Sequence, residues 1–366
     1  MKFTIKKEDF LKNIYQLNYI TNNNNLYIYN NILLNVKNNI LLITNANQEM
    51  EIISKIKLYE KNENGAITVS SKNFINIFKN LQDNSEVLVK LKGDLIIIKT
   101  KNNKFNLSTL PSNNFPNIDK WVIKNQLEFI LDQYTFKNII NSIYFSISND
   151  NIKYSLNGVF LEIKNNIIQC IASDGHRLSI CTLFINKKLP FCSIIIPKKG
   201  IFEIIRLLKE GNMKLQIGKN NIRIYIKNLI FTSKLINGIY PNYKNLLNNK
   251  KGVSFKINSD NFKNAIKRVS ILASEKFNII YLILNKNILN IKTQKPPKEK
   301  AEEFIEIIYN GPKIKIGVNL NYILPVLNSF KNKNIKILIK DLDNSIQITY
   351  NTNNIKYLHI IMPIII

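Results

Sequence analysis

The sequence predicts an α+β chain of three similar domains, and three observations carry that reading. Three segments repeat: KFTIKKEDFLKNIYQL from Lys2, EFILDQYTFKNIINSI from Glu128 and SFKINSDNFKNAIKRV from Ser254. Their leading residues Phe3, Phe129 and Phe255 stand 126 residues apart at each step, and each is followed by an aliphatic residue two later and a second Phe seven later. Two equal spacings with one internal pattern imply three copies of one domain. The apolar period also changes midway through each copy, and alternating runs ended by polar turns follow it.

Phe3 and Ile5 alternate as on a strand, whereas Phe10, Ile14 and Leu17 keep helical spacing, so each segment reads as a strand feeding an amphipathic helix, with Asp or Ser near the change as cap. A second set repeats the pattern: AITVSSKNFINIFKNL from Ala66, SIIIPKKGIFEIIRLL from Ser193 and KIGVNLNYILPVLNSF from Lys315. Runs such as LLNVKNNILLITN and IKILIKDLDNSIQITY look like antiparallel strands joined by hairpins. Each domain is thus two β-α-β-β-β half-units of about 60 residues, with domains at 1–122, 123–250 and 251–366. Long alternating strands need their edges paired, which a closed ring achieves and a stacked array does less fully.

Composition bounds the class. The chain has 366 residues with 45% hydrophobic content, enough for several packed cores. Its apolar stretches fall far short of the roughly 20 residues of a membrane span, and MKFTIKKEDF turns polar at once, so a soluble cytoplasmic protein without a signal segment is expected. Cys170, Cys181 and Cys192 lie eleven apart, without CxxC spacing or histidine pairs, and read as reduced, partly buried thiols.

A net charge of +27 points to a polyanionic partner, but Lys, Asn and Ile are overused along the whole chain, so placement must decide. On the first helix Lys12, Asn13 and Gln16 are expected outward; on the third domain's helix, Asn264, Lys267 and Arg268. Later helices add Lys72, Lys79, Lys198, Lys199 and Arg206, with Glu203 as the acidic exception. Lysines and amides of this kind suit sequence-independent phosphate contact; ordinary solvated faces are the alternative.

The stretch IASDGHRLSI, Ile171 to Ile180, holds one of two histidines in the chain. Catalysis by Asp174 and His176 would need further groups. The chain has no H-x-E, no paired-carboxylate motif and no GxxxxGK[ST] loop. Asp-Gly between apolar runs reads better as a strand and tight turn, with Gly175 supplying the permissive backbone.

Taken together, the chain resembles the bacterial DNA polymerase III beta subunit, or sliding clamp, over essentially all its length. The resemblance lies in MKFT, FNLSTLP at 105–111 with FPN at 115, LNG at 156–158, SDGHRL at 173–178, IPKKG at 196–200, FTSKL at 231–235, YPNY at 240–243, EKF at 275–277 and the late MP. It implies a DNA clamp fold: three domains per chain, two chains head to tail, antiparallel sheets outside and helices lining the pore of a dimeric ring. It also implies a processivity factor without cofactor or chemistry of its own, whose partners are duplex DNA, a second copy, the replicative polymerase and a clamp loader.

The resemblance assigns a peptide pocket to Leu156, Ser173, Gly175, His176, Arg177, Leu178, Pro241, Leu246, Tyr322, Ser345, Ile360, Ile361, Met362 and Pro363. Aliphatic walls with one Met suit leucine and aromatic anchors. His176 is read either as structural or as a direct partner contact. Phe105 and Leu107 resemble one side of the dimer contact and Ile271 and Leu272 the other, with ordinary core as the alternative. On the DNA side Tyr154 can stack on a base beside Ser155. Asn23 and Asn245 stand where the family often has a basic residue, Asp150 where an amide is typical, and Ile364 to Ile366 where the tail is usually mixed. Two other classes stay open: a metal-dependent DNA-processing enzyme using Asp174 and His176, and an open basic protein that coats nucleic acid.

Overall fold

The structure is a computed structural model and describes residues 1–17, 30–116, 127–149, 153–247, 252–273, 278–295, 299–340 and 345–364. The first repeat runs β1 (Lys2–Lys6), α1 (Lys7–Ile14), β2 (Asn31–Lys37), β3 (Ile40–Ala46) and β4 (Met50–Lys57). It then runs β5 (Gly65–Ser70), α2 (Ser71–Asn80), β6 (Glu86–Lys92), β7 (Leu95–Lys99) and β8 (Lys104–Pro111). The central repeat holds β9 (Leu127–Asp132), α3 (Gln133–Asn141), β10 (Gly158–Ser173), β11 (Arg177–Pro197), α4 (Lys198–Leu207), β12 (Asn212–Ile217), β13 (Asn221–Ile226) and β14 (Leu229–Lys234). The last repeat gives β15 (Gly252–Asn258), α5 (Ser259–Ser270), β16 (Ile279–Asn285), β17 (Ile288–Lys295) and β18 (Glu299–Glu306). Its second half is β19 (Ile314–Asn319), α6 (Leu320–Ser329), β20 (Asn334–Lys340), β21 (Ile346–Asn351) and β22 (Ile355–Ile361).

The first and last repeats therefore show two β-α-β-β-β half-units each. In the central repeat the expected separate strands merge into the long β10 and β11. Their register shifts between Ile163 and Ile167, where Asn165 takes φ 55°, so one long pair serves as two shorter ones.

By contacts the chain forms two compact units, Met1–Tyr134 with Phe202–Leu235, and Thr135–Ile201 with Ile236–Ile366. In the first, twelve antiparallel strands run in the order β1-β6-β7-β8-β5-β2-β3-β4-β14-β13-β12-β9. The β4–β14 pairing, from Ser54 opposite Leu229 to Met50 opposite Ser233, carries this sheet from one repeat into the next. In the second unit a six-stranded sheet has the order β10-β11-β22-β21-β20-β15 and a four-stranded one β18-β17-β16-β19. There the β11–β22 pairing joins central and last repeats, with Arg177 opposite Ile361 and Leu178 opposite Ile360.

The heavy asparagine usage has a local structural use. Seven of the eight described non-glycine residues at positive φ are asparagines, including Asn38 and Asn39, at 50° and 62°, in the β2–β3 turn. Two successive left-handed residues match the twist of a tight hairpin, and asparagine tolerates that region better than other side chains with a Cβ.

Capping differs from expectation. Asn258 and Asn319 cap α5 and α6 and Ser70 caps α2, while α1 follows Lys6, which gives no side-chain cap, and carries Glu8 and Asp9 in its first turn. The expected core positions are filled: Phe3, Phe10, Ile14, Leu17, Phe262 and Ile266 are all fully buried. Phe10 stacks on Phe78 at 4.0 Å and meets Phe74 edge-on at 5.3 Å, so the two helices of the first repeat share one aromatic core. Each such ring contributes on the order of 1.5–3 kcal/mol by leaving water. Cys170 stands opposite Cys181 on β10 and β11 as a free thiol pair; burial pushes both thiols up, Cys181 to about 12.

Candidate peptide pocket and nucleic-acid face

The residues that the resemblance assigns to a peptide pocket gather in the second unit around the turn between β10 and β11. Gly175 there takes φ +90°, a conformation costly for residues with a Cβ. The Asp174 carboxylate accepts the backbone N–H groups of His176 and Arg177, both at 3.0 Å, and Arg177 Nε at 2.9 Å. Ser173 donates its hydroxyl to the Arg177 carbonyl at 2.8 Å, closing the turn from the other side. The Asp174 carboxylate is thus occupied in shaping a turn, which accounts for it without a catalytic role.

From this turn the site extends in two directions. The His176 carbonyl accepts the Met362 N–H at 2.9 Å, so the end of β22 is tied to the turn. The His176 ring lies parallel to that of Tyr322, on α6, with centroids 5.7 Å apart and planes 10° apart. Burial raises the Tyr322 hydroxyl above its usual pKa, with the Asp174 charge adding to the effect and Arg177 opposing it.

Beneath lies a buried apolar cluster in which Leu156, Leu178 and Ile360 join Ile171, Ile180, Ile195, Ile236, Tyr240 and Tyr243, with Leu246 packed against them. Phe160 stacks on Tyr240 at 4.8 Å. Leu246 is anchored by its carbonyl, which accepts the ammonium of buried Lys340 at 2.5 Å. Pro241, Gly175 and His176 are exposed at the rim, while Arg177, Tyr322, Met362 and Pro363 are half-buried. Ser345 is fully buried, its carbonyl accepting the Lys340 N–H.

Ile361 packs in the last repeat's core with Ile346 and Ile348, while its strand neighbour Ile360 joins the cluster around Tyr240, because neighbouring residues of a strand point to opposite faces. The sequence reading missed Phe145, Lys340 and the Asn321 carbonyl, since none belongs to a local motif and all reach the site through tertiary packing.

Of the cations assigned to nucleic acid, Lys12 on α1 and Lys72 and Lys79 on α2 are exposed in the first unit, and Lys199 on α4 and Lys267 on α5 in the second. Lys79 Nζ lies 5.3 Å from the Tyr15 ring centroid. Tyr154 is 62% exposed and Ser155 half-buried beside it. Asn23 and Asp150 lie outside the described residues.

Three cations of the proposed set are engaged locally. Arg206 bonds to Glu203 at 2.6 Å and to the Gln16 carbonyl at 2.7 Å, and Glu203 is buried, so the outward charge expected there is offset within the helix. Arg268 pairs with Glu303 of β18, Nε to Oε2 at 3.0 Å. Lys198 is half-buried and bonds to Asn149; burial lowers its pKa, with the Arg177 charge adding to the shift.

The positions assigned to the dimer contact are accessible. Phe105 and Leu107 are half-buried on alternate residues of β8, whose Lys104–Ser108 stretch pairs with β7, and Ile271 is 79% exposed beside half-buried Leu272. The sequence reading missed β18, the edge of the four-stranded sheet, which carries Glu299, Glu302, Glu303 and Glu306 and a 64% exposed Phe304. Its signal, EKAEEFIE, was a run of acids in a lysine-rich chain. Among the described residues no helix is long and apolar enough to cross a membrane.

A threefold-repeated antiparallel scaffold of this kind defines a sliding clamp, an accessory subunit of a DNA polymerase that performs no chemistry itself. Residues 1–119, 130–242 and 244–365 match the N-terminal, central and C-terminal domains of the DNA polymerase III beta subunit. The chain belongs to that family. It is 35% identical over 351 residues to the beta sliding clamp of Escherichia coli K12, covering 95% of each chain. It is 36% identical over 358 residues to that of Buchnera aphidicola subsp. Rhopalosiphum padi, covering 97% of each. The crystal structure of the DNA polymerase III subunit beta from Pseudomonas aeruginosa superposes with a TM-score of 0.93 at 29% identity, covering 100% of both chains.

Proposed function

We propose that two copies of this chain close head to tail into a cytoplasmic ring around duplex DNA and tether the replicative polymerase and its clamp loader through the pocket beside His176. The observation that carries this reading is a pair of complementary strands: β8, which β5 joins only over Thr109–Pro111 so that Lys104–Ser108 is paired to β7, and β18, an edge strand. In the first repeat β8 presents Phe105 and Leu107 among Lys99, Lys101 and Lys104; in the last, β18 presents Phe304 among four glutamates. Basic and acidic strands with apolar centres can pair antiparallel between two copies, satisfying the backbone groups an edge leaves open. Local engagement of Glu302 by Lys292 and of Glu303 by Arg268 tempers that complementarity without removing it.

A closed ring holds DNA by topology, so its contacts need only be weak and sequence-independent. Exposed lysines on the helices supply such contacts, and Tyr154 offers a face for a base. The pocket's apolar floor accepts leucine and aromatic anchors, and the backbone around Gly175 and Met362 defines its rim.

Retention tests the proposal. Protein loaded onto nicked circular DNA should survive a high-salt wash and leave once the circle is cut. Equal salt-sensitive loss from circular and linear DNA would instead indicate an open coating protein.

A further inference from the structure

We propose that Arg177 is a positioning residue for peptide capture: its guanidinium fastens the Asp174–His176 turn and Phe145 to the start of α6, and so holds Tyr322 and His176 in place as the aromatic rim. The inference rests on reading this cleft as the peptide site.

An arginine offers a planar fork of five N–H donors and no acceptor, and here the fork is directed inward. Nε donates to Asp174 Oδ2 at 2.9 Å; one terminal nitrogen donates to the Asn321 carbonyl at 3.0 Å, and the other to the Phe145 carbonyl. The guanidinium carbon lies 5.2 Å from the Tyr322 ring centroid and 5.5 Å from that of Phe145, within cation–π range of both. The Arg177 and Asp174 side chains are only 12% and 16% exposed. Such a group is spent on protein carbonyls, a carboxylate and two rings, rather than presented to a ligand carboxylate.

The partners come from different repeats. Phe145 lies in the 3-10 turn Tyr144–Ser146 of the central repeat, whereas Asn321 and Tyr322 open α6 of the last. Tyr322 in turn stacks on His176, whose carbonyl holds Met362. One side chain thereby sets the spacing of three rim elements. Without it the rim must be ordered by the peptide at binding, which lowers affinity although no peptide contact is lost.

The test is fluorescence anisotropy with a fluorescein-labelled polymerase peptide bearing leucine and phenylalanine anchors, and with the same peptide after its acidic residues are replaced by amides. Wild type should bind and Met362→Ala should weaken binding; no binding by wild type would remove the peptide-site reading and this inference with it. Arg177→Ala should weaken both peptides by the same factor, about tenfold. Arg177→Lys should not restore affinity, because an ammonium cannot make the fork. Asp174→Asn should act in the same direction, and the double variant should bind no worse than Arg177→Ala alone. Two results would overturn the role: wild-type-like affinity in Arg177→Ala, or a loss confined to the acidic peptide, which would make Arg177 a direct ligand. If Arg177→Ala fails to fold, Arg177→Lys and Asp174→Asn decide the same question.

Discussion

His359 Nδ1 lies 2.8 Å from the Ser179 hydroxyl, and Ser179 in turn lies 2.7 Å from Ser146 Oγ; all three side chains are sealed from solvent where β22 meets β11. Burial, aided by the Arg177 charge, pushes the imidazole down to about 3 from its ordinary 6.5. A ring kept neutral in the fold binds its proton more readily when unfolded. Stability is therefore complete above about pH 6.5 and declines as pH falls from there toward 3, by up to ~1.4 kcal/mol per unit. Urea melts of wild type and His359→Gln between pH 7 and 4 should show a shallower decline in the variant. Parallel curves would reject the histidine as the source.

The pocket predicts a graded loss of peptide binding. Met362→Ala shortens a half-buried wall and should cost roughly 1–2 kcal/mol of affinity. His176→Ala removes an exposed ring stacked on Tyr322 and should cost less if its role is structural, or a comparable amount if it touches the peptide. Titration with a polymerase peptide distinguishes the two readings of His176.

Charge on the helices separates into available and engaged groups. Lys72→Ala should lower the salt slope of DNA binding by about 0.9. Arg206→Ala should leave that slope nearly unchanged and instead lower stability, because Glu203 would lose its partner while remaining buried. Binding isotherms at several salt concentrations, with melts alongside, check both outcomes.

The paired-edge proposal makes Phe304 the sensitive position. As it is largely exposed, Phe304→Arg should leave each chain folded while placing a cation opposite Lys104 of β8 and the neighbouring Lys99 and Lys101. Sedimentation should show monomers, and retention on circular DNA should be lost while peptide binding persists. A dimer of unchanged stability would remove β18 from the interface.

The aromatic core of the first repeat predicts a large, local effect. Phe78→Ala deletes a fully buried ring stacked 4.0 Å from Phe10, and should cost about 3–5 kcal/mol. Denaturant melts of that variant against wild type measure it.

Much of the architecture was legible from Phe3, Phe129 and Phe255 and the period changes after them, because apolar periodicity is the cause of strand and helix burial and needs no knowledge of the fold. The tight turn at Gly175 was legible for the same local reason. Which core Ile360 and Ile361 each join depends on which face of β22 meets it, and tandem apolar residues do not reveal that. Nor could the charge pattern show that Arg206 is held by Glu203 and Gln16, or that Arg268 reaches Glu303.

By itself the sequence determined the threefold repeat, the half-units and the positions of the turns, all set by short-range spacing. Tertiary structure alone decided that Arg177 also reaches Phe145 and Asn321, and that burial holds His359 neutral. Those outcomes depend on groups separated widely along the chain, brought together only when two repeats share a sheet and water is excluded between them.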